Sequence, residues 1–146
     1  MNAVLSEVPG IDGEAAEIAR MRELFDLQRK AFDAAPFPDH ASRKANLRKL
    51  IAALQKHQND IVVAVNADFG VRAGAETKLV EVMGPILEAH HCLSHMRKWM
   101  KPRRRSTELL FLTNSAWVAY QPKGVVGIIG TWNFPVYLTL GPLVAA

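Results

Sequence analysis

Lys123 is the last charged residue of the chain, and the 23 residues from Gly124 to Ala146 carry none. A run of that length is sufficient to cross a bilayer as one helix, so it restricts the possible folds more than any other feature. Two readings compete: a membrane span, or a buried strand, loop and helix in succession. A span needs one unbroken helix, because unpaired backbone groups cost several kcal/mol in lipid. Gly124, Gly127, Gly130, Asn133, Pro135, Gly141 and Pro142 interrupt the run. They divide it into a β-branched stretch ("VVGII"), a polar loop ("GTWN") and a helical stretch beginning at Phe134. The second reading is therefore expected, with no membrane partner. Apolar on both faces, "VVGII" has the pattern of a central parallel strand.

Upstream of this run the pattern is helical. Ile18, Met21, Phe25 and Phe32 recur at helical spacing, which predicts a helix from about Glu14 to Phe32 with Asp12 as its cap. Pro36 and Pro38 break the chain. A second helix is expected from Asp39 or Ser42, with Leu47, Leu50, Ile51 and Leu54 on its apolar face and Arg43, Lys44, Arg48 and Lys49 largely off it. "NDIVVAVNADFG" is ambiguous: its valines favour a strand, whereas Asn59 as cap and Gly70 as stop suit a short helix. The longest helix is predicted from about Ala75 to Met100, on Leu79, Met83, Ile86 or Leu87, His90 and Leu93, with a kink at Pro85. Beyond Pro102, "ELLFLTNSAWVAYQPKG" reads as a β-hairpin of Leu109–Leu112 and Ser115–Tyr120 about a Thr113-Asn114 turn. The expected class is α/β, with a helical part (1–105), a hairpin (106–122) and the start of a parallel sheet (123–146).

The formal charge of +4 is a local property. "RKWMKPRRR" (Arg97–Arg105) holds six basic residues, and the remainder carries 12 basic against 14 acidic side chains. Such a cluster suits either phosphate binding or a solvated helix end favoured by the dipole. The solvated end is the reading taken, so no nucleic-acid partner is expected. The opening residues lack the basic and apolar regions of a secretion signal. The single cysteine makes no internal disulfide, which points to a reducing cytoplasm. Cys92 falls mid-helix and reads as a small packed thiol. His91 and His95 share a helical face at metal-ligand spacing, but Cys92 stands where a zinc protease motif needs Glu, and no second ligand cluster exists; no metal is expected. Asn133 has two readings, as a helix cap or as an amide donor to a developing oxyanion at the carboxyl end of a strand.

"YQPKGVVGIIGTWNFPVYLTLGPLVAA" resembles the aldehyde dehydrogenase superfamily in the order and register of Pro122, Gly124, Val125, Trp132, Asn133, Pro135, Gly141 and Pro142. "VNADFG", "WMKPRRR" and "LLFL" resemble its class-3-like branch, which includes coniferyl aldehyde dehydrogenases. The resemblance implies a helical "DIVVAVNADFG", a hairpin of the oligomerisation type and the first strand–loop–helix of a Rossmann-like cofactor domain. It implies oxidation of an aldehyde, aromatic or long and apolar, by a cysteine thiolate with NAD or NADP. Asn133 is implied as the oxyanion donor, with Ile129, Thr131 and Trp132 along the cofactor. "GT" before Trp132 departs from the Ser/Ala-Pro often found there. The catalytic cysteine and glutamate are expected beyond Ala146, so 1–146 is expected to be a fragment without activity of its own and the complete enzyme a cytoplasmic homodimer. The rival expectation is a helical binding module that contacts its partner through Arg97–Arg105.

Overall fold

The computed structural model describes residues 11–146, with side chains from Glu14 onward. The readings of residues 1–10 lie outside the described residues. The chain forms two units, one carrying the first helix with Pro122–Val125, the other Phe37–Gln121 with Val126–Ala146.

In the first unit, α1 (Ile11–Ala34) begins ahead of Asp12, so Asp12 sits in the first turn and does not precede it. Its expected apolar stripe is largely solvent-facing, with Met21 at 64% and Phe25 at 45% exposure. Phe32 is half-buried, and its ring lies 3.8 Å from where a β-carbon on Gly124 would stand. Gly124 adopts φ 107, a left-handed conformation that side chains disfavour.

The second unit opens with α2 (His40–Lys56), capped by Asp39, whose Oδ1 accepts the Ser42 N–H at 2.7 Å. After it, "NDIVVAVNADFG" is helical as α3 (Gln58–Phe69), ended by Gly70 at φ 74. Asn59 is not its cap: that position is His57, whose Nδ1 bonds Asp60 at 2.8 Å.

The predicted long helix is present in three pieces: α4 (Gly74–Thr77), a π-helical segment (Lys78–Met83) and α5 (Gly84–Trp99). Pro85 has no N–H to offer the Glu81 carbonyl, so the helical ladder is irregular where the kink was expected. Wider π-helical turns also re-aim the side chains. Leu79, Met83 and Leu87 face solvent, while Thr77, Glu81, Val82, Pro85, Ala89 and Met96 face inward. The apolar core joins Ile51 of α2, Ala89 of α5 and Val144 of α6 (Pro135–Ala145), flanked by Leu47, Leu50, Ile86, Cys92 and Leu93.

The hairpin differs from expectation. β1 is Arg103–Arg105 and pairs antiparallel with β2, Ala116–Val118, in the register Arg103 to Val118, Arg104 to Trp117 and Arg105 to Ala116. Leu109–Phe111 is a 3-10 turn, closed by Phe111 N–H to Glu108 C=O at 2.8 Å. The run of four apolar residues, Leu109–Leu112, lacks the alternation that a two-faced strand requires. The basic cluster accordingly splits: Arg97 and Lys98 end α5, and Arg103–Arg105 form an exposed strand.

"VVGII" forms no strand. Among the described residues the only sheet is β1–β2, so this run has no ladder to join. Val126 and Ile129 are 53% and 95% exposed, which corrects the expectation of burial. No described helix is long and apolar enough to cross a membrane.

Candidate functional site

α6 starts with Pro135 at its first position, where the missing N–H costs nothing. Its next two donors need an acceptor, and one of the two readings of Asn133 made its side chain that acceptor. The structure uses Glu81 instead. Glu81 Oε2 accepts the backbone N–H groups of Val136 at 3.0 Å and Tyr137 at 2.8 Å. Phe134, not Asn133, occupies the cap position and makes no side-chain cap bond. The capping reading of Asn133 is thereby corrected.

Glu81 is fully buried, and its other oxygen faces Arg72 Nη1 at 3.0 Å. A buried carboxylate is tolerated when every lone pair it presents is answered. Here one oxygen meets a guanidinium and the other the positive end of a helix. Arg72 lies between two rings, 4.5 Å from the centroid of Phe69 and 4.5 Å from that of Phe134, and also reaches Glu76 at 3.5 Å. The planar guanidinium suits such a sandwich.

Asn133 is left exposed, with Oδ1 accepting the Thr131 hydroxyl at 2.6 Å. The structure thus brings Thr131 and Asn133 together. Among the described residues its amide NH2 meets no acceptor, which leaves a donor pair free for an incoming oxygen. Trp132 and Ile129 stand open at 86% and 95% exposure. Gly130 is confined: a β-carbon there would collide with Thr139 Oγ1, which donates to Pro135 C=O at 2.7 Å.

Glu81, Arg72 and Phe134 were missed by sequence reasoning. The available signal was an i, i+4 series, Thr77, Glu81, Pro85 and Ala89, that places a carboxylate on the buried side of a helix. The assumed apolar period, which followed Leu79 and Met83, concealed it.

Residues 4–146 match the family model described as "Aldehyde dehydrogenase family". The chain belongs to the aldehyde dehydrogenase family. It is 38% identical over 143 residues to a probable coniferyl aldehyde dehydrogenase of Pseudomonas aeruginosa, covering 98% of this chain and 30% of that one. It is 40% identical over 131 residues to a probable coniferyl aldehyde dehydrogenase of Caulobacter vibrioides, covering 88% and 27%. Aldehyde dehydrogenase family 3 member B2 of the mouse is 36% identical over 118 residues, covering 81% and 24%. The chain thus spans less than a third of the length of these aldehyde dehydrogenases.

The other sequence candidates stay apart from the Asn133 loop. His91 and His95 stack at 4.2 Å and His95 on Trp99 at 5.6 Å, while His95 Nδ1 is engaged by Ser94 Oγ and the His91 carbonyl. No group of three His, Cys, Asp or Glu suited to a metal occurs among the described residues. Cys92 is half-buried, and desolvation together with the nearby Glu88 charge pushes its thiol pKa up. An open cavity of about 490 Å³ between α2 and α5 is lined by Lys44, Arg48, Gln55 and His90 and includes no residue of the loop.

Proposed function

We propose that the complete protein oxidises an aldehyde to its carboxylic acid, with Asn133 as an oxyanion donor. The observation that carries this reading is the division of labour at the start of α6: Glu81 answers the helix donors, and Asn133 keeps its amide for another acceptor. A cysteine thiolate, from the part of the protein beyond this chain, adds to the aldehyde carbon and places negative charge on the carbonyl oxygen. The Asn133 amide donates a hydrogen bond to that oxygen. Collapse of the adduct expels hydride and leaves a thioester. Water activated by a glutamate, also beyond this chain, releases the acid and regenerates the thiol. NAD or NADP, when bound, supplies the hydride acceptor.

Exposed Ile129 and Trp132 with the Thr131 hydroxyl fit the apolar and ribose parts of a dinucleotide. They do not supply a phosphate cradle, since the first free N–H groups of α6 are already given to Glu81. Similarity to relatives named coniferyl aldehyde dehydrogenases supports coniferyl or another aromatic or apolar aldehyde as substrate. The short β1–β2 sheet, with Leu109, Leu110 and Trp117 exposed beside or within it, supports a homodimer in the complete enzyme. The chain by itself, without the nucleophile, is inactive in this reading.

In the full-length protein, Asn133→Ala is expected to lower kcat about 10²–10³-fold, as loss of an oxyanion donor does, with dinucleotide affinity nearly unchanged. Unchanged turnover would refute the role.

A further inference from the structure

We infer that Glu81 and Arg72 are positioning residues for Asn133, acting through Phe134 and the first turn of α6; the inference rests on the oxyanion reading above. Asn133 is exposed, and among the described residues its side chain is tied only to Thr131, two residues away on the same loop. Among the described residues no ladder holds the loop, since residues 121–131 make no regular structure. Within this chain, most of the contacts that fix it lie on the C-terminal side.

Three of the four residues following Asn133 are held by one buried ion pair. The Phe134 ring packs on the Arg72 guanidinium at 4.5 Å, and the N–H groups of Val136 and Tyr137 point to Glu81 Oε2. Arg72 is in turn immobilised by Glu81, Glu76 and the ring of Phe69. A local Ser, Thr, Asp or Asn cap would have closed the helix with less desolvation. A distant buried carboxylate instead fixes the backbone while freeing the loop's own amide. A π-helical segment presents Glu81 for this task, and such segments recur at functional sites. On the other side of Asn133, the hydroxyl of Thr139 closes against Gly130, which leaves the loop little room to retreat. The result is a donor whose backbone is set by elements 52 and 61 residues earlier in sequence, counting back from Asn133 to Glu81 and Arg72.

The test uses the full-length protein and a double-mutant cycle on steady-state turnover. Gln at position 81 keeps an oxygen for α6 and removes the charge facing Arg72. Glu81→Gln is expected to lower kcat roughly 10- to 100-fold, the cost of a displacement on the order of 1 Å. KM for the aldehyde and Kd for NAD are expected to stay within about twofold, the signature of an interaction made only in the transition state. Added to Asn133→Ala, it should lower kcat no further, because there is no donor left to misplace. Phe134→Leu removes the ring over Arg72 and leaves both Glu81 bonds to α6 in place. It should show the same non-additivity, and it carries the test if Glu81→Gln does not fold. Losses that multiply in the double variants, or a kcat untouched by both Glu81→Gln and Phe134→Leu, overturn the positioning role and leave the oxyanion role standing. If Asn133→Ala alone leaves turnover unchanged, the oxyanion reading fails, and positioning fails with it.

Discussion

The ring of Tyr137 stands where a β-carbon on Gly84 would go: built there, that carbon lies 2.9 Å from Cδ2 and 3.0 Å from Cε2. The ring is not free to swing, since its hydroxyl donates to Glu88 at 2.9 Å and its backbone N–H is held by Glu81. Helix propensity alone would favour Ala over Gly by about 1 kcal/mol. Overpacking a fixed aromatic costs about 1–3 kcal/mol, so the clash wins. Gly84→Ala is expected to lower the urea midpoint, and to raise it in a Tyr137→Ala background where the ring is gone. A higher midpoint for Gly84→Ala alone would show that the ring yields.

Thr77 is fully buried, and its Oγ1 has no hydrogen-bond partner among the described residues. An unanswered buried hydroxyl costs about 1–3 kcal/mol, whereas a methyl group of similar size carries no such penalty. Thr77→Val should therefore leave stability unchanged or raise it by about 1 kcal/mol, measured by denaturant unfolding. A clear loss would reveal a partner for the hydroxyl.

Asp39 caps α2, and its carboxyl pKa is held below the ordinary 3.8, chiefly by the bonds from Ser42. A depressed folded value means that the contribution is complete above pH 3.8 and is lost as pH falls through the lower folded value. Amide exchange at Ser42 is expected to accelerate in that acid window in the parent protein. Asp39→Asn keeps a capping oxygen without the titration, so its Ser42 exchange should not show that step. An identical acid response in both proteins would remove Asp39 as the cause.

Cys92 combines partial burial with a neighbouring carboxylate, and both raise its thiol pKa above the ordinary 9.0. The thiolate is the reactive form, so reaction with a disulfide reagent at pH 8 should be slower than for an unfolded thiol and should recover in denaturant. Cys92→Ser in the full-length protein is expected to leave kcat unchanged. A rapid reaction in the native protein would contradict the assignment of Cys92 as a packed thiol.

Much of the helical framework was legible in the residues themselves. Asp39 and Gly70 are local signals, a side-chain acceptor at a helix start and a residue that tolerates positive φ at a helix end; of the two starts open to α2 the structure uses Asp39, and Gly70 ends α3. The Trp132-Asn133 loop before a Pro-initiated helix was also legible, because Pro135 suits only the first turn. Strand pairing was not. Arg103–Arg105 has no strand signature, and it is extended because Ala116–Val118 lies beside it. Conversely, "VVGII" has the β-branched composition of a strand but no neighbour here to supply the ladder.

The sequence by itself determined the boundaries at Asp39 and Gly70, the family and the identity of the loop that carries Asn133, because caps, prolines and short motifs act over a few residues. Tertiary structure alone decided what that Asn is free to do. Whether its side chain caps α6 or remains a donor depends on Glu81, 52 positions earlier, being buried against the helix end. Burial of a carboxylate is a collective outcome: it needs Arg72, two aromatic rings and two backbone N–H groups to converge at once, and no local pattern specifies that convergence.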